Sequence, residues 1–79
     1  MKAVYFNDDT IINLGNCEMI SKVDHGPDYC IRFFTQSFAP PSINFHDRYI
    51  RDREFASIMA LIHRSGDGVH KISKTDIPS

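Results

Sequence analysis

Two cysteines and four histidines are the candidate metal ligands, nucleophiles and bases in this 79-residue sequence. They are Cys17, Cys30, His25, His46, His63 and His70. Structural zinc requires close-spaced pairs of ligands, but the cysteines are 13 positions apart and the histidines are separated by 7 positions or more. The spacing therefore predicts no metal site, and the sequence contains no cofactor-binding motif.

Nucleophilic catalysis requires a cysteine or serine placed beside a base and a third, orienting group. Both cysteines lie in predicted strands, where a thiol usually behaves as a small apolar group. The four glycines are scattered along the chain, so neither a phosphate-binding loop nor a nucleophile elbow is present. These observations predict a protein that is not an enzyme.

The densest basic patch combines three arginines with one tyrosine: Arg48, Tyr49, Arg51 and Arg53. Arginines that contact phosphates, beside aromatic rings that stack on bases, are typical of nucleic-acid binding. However, Asp52 and Glu54 cancel part of this charge locally, and the whole chain has a net charge of -1. Nucleic-acid binding through Arg48, Arg51 and Arg53 is therefore the alternative function, not the leading one.

Five short apolar runs with a period of two predict the strands that would position these side chains. They cover residues 2–6, 10–14, 17–23, 29–35 and 42–46, and turn-forming residues separate the first two and the next two, which predicts two hairpins. A hairpin closed at residues 24–28 places Cys30 opposite a residue near 21–23. That register predicts no disulfide between Cys30 and Cys17.

One stretch, residues 52–64, has apolar residues at helical spacing. The stripe consists of Phe55, Ile58, Met59 and Ile62. Asp52 is the expected N-cap, with Asp47 as a rival that would begin the helix one turn earlier, and Gly66 is a typical residue after a helix end. The predicted fold is α+β: a small antiparallel sheet of four or five strands with one helix packed on one face.

The length of the chain allows one hydrophobic core, so residues 1–66 are predicted to form a single domain. Residues 67–79 are polar and are predicted to form either a C-terminal tail or an edge strand. The first residues lack the apolar run of a signal peptide, and no window reaches the roughly 18 apolar residues of a membrane span. We therefore expect a cytoplasmic protein with reduced thiols and no membrane partner.

Six phenylalanines and three tyrosines are more than one thin core can hold. A single helix covers one face of a sheet, which leaves the opposite face for another molecule, and aromatic side chains and arginine are enriched at such interfaces. We therefore predict a non-enzymatic protein-binding module, a homodimer, that occupies a surface of a partner macromolecule. The predicted contact residues are Arg32, Phe34, Phe38 and Tyr49, with Arg48, Arg51 and Arg53 as the polar rim.

No motif in the sequence matches a named family. A very short chain with β-runs followed by one helix is similar in size and style to accessory proteins of phages and mobile elements, including small inhibitors of host defence systems. This similarity of size and style includes no diagnostic residue, and it transfers no site residue.

Overall fold

The computed structural model describes residues 1–6, 10–36 and 41–72. Within these ranges the chain forms six strands, one α-helix and a short 3₁₀ turn. The elements are β1 (Lys2–Phe6), β2 (Thr10–Asn13), the 3₁₀ turn (Leu14–Asn16), β3 (Cys17–His25), β4 (Asp28–Thr35), β5 (Ser42–Phe45), α1 (Arg48–His63) and β6 (Gly68–Ile72). The α+β class is as predicted, but the described strands form two sheets of three strands each instead of one sheet of four or five.

The strands β3, β4 and β5 form an antiparallel sheet, which we call the hairpin sheet. A tight turn joins β3 to β4, and its Gly26 has a φ of 66°, a backbone conformation that glycine adopts without steric cost. Cys30 lies opposite Val23, as the predicted hairpin requires, and both Cys30 and Cys17 are free thiols.

The second sheet, which we call the mixed sheet, has the strand order β2-β1-β6. Its β1 and β2 form the antiparallel hairpin expected from the first residues of the chain. Its β6 pairs in parallel with β1, from Lys2 opposite Gly68 to Phe6 opposite Ile72. The parallel pairing contradicts the predicted all-antiparallel sheet. It could not be predicted from the sequence because it joins residues 66 positions apart, and local alternation does not indicate which distant strand is the neighbour.

The helix α1 begins one turn earlier than its apolar stripe indicates. Asp47 is the N-cap, since its carboxylate accepts hydrogen bonds from the backbone N–H groups of Tyr49 at 2.7 Å and Ile50 at 3.1 Å. The expected cap, Asp52, lies inside the helix and accepts a hydrogen bond from Nε of Arg51 at 2.7 Å. The preference for Asp52 was therefore wrong, and the rival Asp47 caps the helix.

One core lies between α1 and the two sheets, because the helix contacts strands of both. Buried core residues from the sheets are Val4, Ile12 and Ile72 of the mixed sheet and Ile31, Phe33, Ile43 and Phe45 of the hairpin sheet. The buried residues of α1 are Arg51, Glu54, Ile58 and Leu61. Of the stripe seen in the sequence, only Ile58 is fully buried and the other three are half-buried, so the helix is rotated from the expected orientation.

Candidate binding surfaces

The mixed sheet has one face that points away from the core. Strand pairing places Ala3, Tyr5, Ile11, Asn13, Val69 and Lys71 on this side, which we call the mixed-sheet face. Ile11 is 58% exposed and Val69 is 62% exposed. Tyr5 pairs directly with Ile11 and is half-buried, while Ala3 pairs directly with Val69 and is fully buried. The exposed apolar residues of this face are thus Ile11 and Val69 on its two outer strands, with the half-buried Tyr5 beside Ile11 and with Asn13 and Lys71 as its polar members.

The hairpin sheet also has an outward side, the hairpin-sheet face. It carries Met19, Ser21, Val23, Cys30, Arg32, Phe34, Ser42 and Asn44. Phe34 is half-buried and lies opposite Met19, which is 53% exposed. Arg32 lies between two serines, so the centre of this face is polar. The remaining predicted contact residue of this region, Phe38, lies outside the described residues.

The predicted arginine patch does not form a single surface. Arg48 and Tyr49 lie in the first turn of α1, where both are exposed, and Arg53 is exposed one turn further on. Because α1 packs on the inner side of the hairpin sheet, these three residues do not share a face with Arg32 and Phe34. The alternative function, nucleic-acid binding, thus keeps two of its three arginines on the surface.

The third arginine, Arg51, is 3% exposed and is part of the structure's interior. Its Nη2 donates to Asp24 at 2.8 Å, its Nε donates to Asp52, and its Nη1 donates to the carbonyl oxygens of Val23 and Cys30 at 3.4 and 3.3 Å. Burial alone would lower the pKa of Arg51, but the hydrogen bonds to Asp52 and Asp24, together with the negative charges of these two carboxylates, outweigh it and raise the pKa above its ordinary value. Arg51 therefore ties α1 to the hairpin sheet and cannot supply the polar rim of a contact.

A second buried polar contact joins α1 to the mixed sheet. Glu54 is 6% exposed, and its Oε2 lies 2.5 Å from Nε2 of His70 on β6. Sequence reasoning missed this pair because 16 positions separate its members. Helical spacing does indicate that both residues are buried, since Glu54 and Arg51 lie four and seven positions before Ile58 and so share its side of the helix. Extending the stripe backwards would have placed both on the buried face.

Two grooves meet at the start of β3. An apolar groove of about 250 Å³ is lined by Leu14, Cys17, Met19, Ile20, Met59 and Ile62, and also by Glu18. A more polar groove of about 390 Å³ is lined by Gly15, Asn16, Cys17, Glu18, Thr35 and Gln36. Cys17 and Glu18 line both. Burial raises the pKa of the Cys17 thiol above its ordinary value, which favours the unreactive protonated form.

Comparison with protein-family models, curated proteins and solved structures finds no match to this chain. Among the residues that the structure describes, no three histidine, cysteine, aspartate or glutamate side chains are grouped so that they hold a metal ion. No helix of the described ranges has the length and apolar character needed to cross a membrane. The candidate binding surfaces are therefore the two sheet faces and the two grooves.

Proposed function

We propose that this protein is a non-enzymatic protein-binding module that forms a homodimer through the mixed-sheet face. The observation that carries the proposal is the exposure of Ile11 and Val69 on one side of a three-stranded sheet, with Tyr5 beside Ile11. Sheet positions that face water usually carry polar side chains. An exposed group of β-branched and aromatic side chains instead marks a surface that another protein covers.

Two physical arguments support self-association. Burial of apolar surface contributes about 25 cal/mol per Å², and a chain this short gains from an interface because its own core is small. Lys71 stands at the end of the row Ile11–Tyr5–Lys71, so two copies can bring Ile11, Tyr5 and Val69 together while each lysine stays at the rim.

Size-exclusion chromatography with light scattering tests the homodimer. We expect the unmodified protein to have twice the mass of one chain, and the double variant Ile11→Glu/Val69→Glu to have the mass of one. Because both residues are exposed, the variant should keep the circular dichroism spectrum of the original, and its melting temperature should fall only by the stabilisation that the dimer supplies.

The matched control is Met19→Glu/Tyr49→Glu, which adds the same charges at exposed apolar positions outside the mixed-sheet face. It should remain dimeric. A protein that is strictly monomeric at high concentration would contradict the homodimer, and equal loss of dimer in the control would contradict the assignment to the mixed-sheet face.

In such a dimer the hairpin-sheet face stays open, and we propose that it occupies the surface of a different macromolecule. Phe34 and Met19 are its apolar pair, at the end of the face nearest the start of β3, and Arg32 is the cation beside them, a combination that suits a protein partner. Phe34→Glu should abolish capture of that partner from native-host extract while leaving the dimer and the melt intact. Unfolding by this substitution would instead place Phe34 in the core.

We further propose an accessory or inhibitory role, in which the bound protein covers a surface that its partner uses. A reducing compartment such as the cytoplasm suits the two free thiols of Cys17 and Cys30.

A further inference from the structure

The start of β3 combines a free sheet edge with a groove that crosses it. In the described part of the chain, β3 is the terminal strand of the hairpin sheet, so its outer backbone groups have no strand neighbour. The apolar groove is lined both by Met19, which lies on the outward side of β3, and by Ile20, which lies on the core side. Successive residues of the terminal strand thus line this groove, together with Met59 and Ile62 of α1.

A β-bulge places an acidic side chain at the same point. The pairing of β3 with β4 shifts between Cys17 and Met19, which leaves Glu18 without a residue opposite it. Glu18 is exposed, and within the described residues its carboxylate has neither an ion pair nor a hydrogen bond. It is also the charged residue in the linings of both grooves. The site is therefore acidic beside an apolar surface.

The other half of β3 is protected against strand addition. Lys22 and Asp24 lie on the core side of the strand, where Lys22 approaches Asp52 at 3.8 Å and the ring of Phe55 at 5.3 Å, and Asp24 binds Arg51. Inward-pointing charges on an edge strand are a common device against pairing. The first half of β3 has Ile20 at the equivalent position, so only this half is suited to a new neighbour.

From these observations we propose that the first half of β3 binds an extended peptide segment of a partner protein in which a basic residue stands next to a large apolar one. The peptide adds to the free edge through backbone hydrogen bonds, which is a common mode of peptide recognition. Its apolar side chain enters the groove beside Met19 and Met59, and its ammonium or guanidinium group pairs with Glu18. Methionine-lined surfaces adapt to apolar side chains of different shapes, which suits this role.

This inference rests on the proposed protein-binding function and names the chemistry of one partner, at a site separate from the mixed-sheet face. The probes are two end-blocked hexapeptides, one alternating leucine with lysine and the other alternating leucine with glutamate. In a fluorescence-anisotropy titration at low salt, the lysine peptide should bind at least about tenfold more tightly than the glutamate peptide. Equal affinity for the two peptides, or no binding of either, would overturn the proposal.

Charge-reversal variants test whether Glu18 pairs with the basic residue of the peptide. Glu18→Lys should invert the preference between the peptides, whereas Asp28→Lys, an equal reversal of charge at the opposite end of the hairpin sheet, should leave it unaltered. Amide chemical shifts in the unmodified protein should move at residues 17–21 on addition of the lysine peptide. Shifts confined to another region would show that the peptide binds elsewhere and would reject the site.

The dimer variant separates this proposal from the previous one. Ile11→Glu/Val69→Glu should bind the lysine peptide with unchanged affinity, because neither residue lines the groove. Peptide binding by a protein that is always monomeric would reject the homodimer alone. A dimer that ignores both peptides would reject the β3 site alone.

Discussion

The hairpin sheet and the mixed sheet are attached to the same helix by different buried side chains. Arg51 joins α1 to the hairpin sheet through Asp24 and two backbone carbonyl oxygens. Glu54, less than one turn later, joins α1 to the mixed sheet through His70. The helix residue of the first contact is the cation Arg51 and that of the second is the acidic residue Glu54, and each contacts only one of the two sheets. These two contacts, one to each sheet, orient α1 over the core that the sheets share.

The outward faces of the two sheets differ as well. The mixed-sheet face has an apolar centre and one lysine at its edge, whereas the hairpin-sheet face has a serine–arginine–serine row across its middle. The mixed sheet also depends on the distant partner β6, while the hairpin sheet is built from neighbours along the chain. The sheet with the more distant strand pairing thus carries the more apolar outer face, and pairing with a second copy would stabilise it.

The largest expected effect compares one buried isoleucine from each sheet. Ile31 of the hairpin sheet and Ile72 of the mixed sheet are 0% and 1% exposed and belong to one core cluster. Ile31→Ala and Ile72→Ala should each lower the free energy of unfolding by about 2–5 kcal/mol, because each removes buried methyl groups and leaves a cavity. Urea titrations followed by circular dichroism and tyrosine fluorescence measure both. Two separate transitions in Ile72→Ala would show that the mixed sheet unfolds independently.

A smaller difference should separate the two polar contacts. Arg51→Met removes the donors to Asp24 and to two carbonyl oxygens and should cost about 2–3 kcal/mol, since hydrogen bonds to charged groups contribute about 1.5–3 kcal/mol. Glu54→Gln keeps a hydrogen bond to His70 and should cost about 1 kcal/mol. Hydrogen exchange should accelerate mainly in β3 and β4 for the first variant and in β6 for the second. The reverse pattern would contradict the assignment of each contact to its sheet.

The smallest effect concerns acid stability near the hairpin-sheet contact. The hydrogen bond from Arg51 lowers the pKa of Asp52 below its ordinary value, so the folded state holds this proton less tightly than the unfolded state. The resulting stabilisation is present above the unfolded pKa of about 4 and is lost as the pH falls through the lower folded value.

Asp52→Asn removes this titration. Between about pH 5 and about pH 2 the urea midpoint of the variant should therefore fall less than that of the unmodified protein. The difference should be small because the Asp52 side chain is 42% exposed. An identical fall in both proteins would mean that the contact with Arg51 does not affect the folding equilibrium.

Local patterns predicted the two hairpins and the side on which many strand residues lie. The alternation through β4 separates Ile31 and Phe33 from Arg32 and Phe34, and the structure has the first pair in the core and the second pair on the outward face. Such alternation is enforced by the backbone itself, because successive side chains of a strand point to opposite sides. The structure of the segment after the helix was harder to predict, since a polar stretch is compatible with either a tail or an edge strand.

The division into two sheets was not readable from these patterns. Gly68–Ile72 pairs with β1 in parallel, and the residues of neither segment indicate which distant strand is its neighbour. The polar contacts of α1 were missed for a related reason. Charged side chains in a helix are normally expected to face water, and Arg51 and Glu54 were assigned to the surface or left without a role on that ground.

Local patterns were enough to predict the first five strands, the helix and the alternation of side chains within β4. The tertiary structure alone decided that an arginine and a glutamate of α1 point inward, because burial of a charge is stable only when partners surround it. Those partners, Asp24 on β3 and His70 on β6, come from strands that lie on either side of the helix in the chain. Their convergence depends on the whole fold.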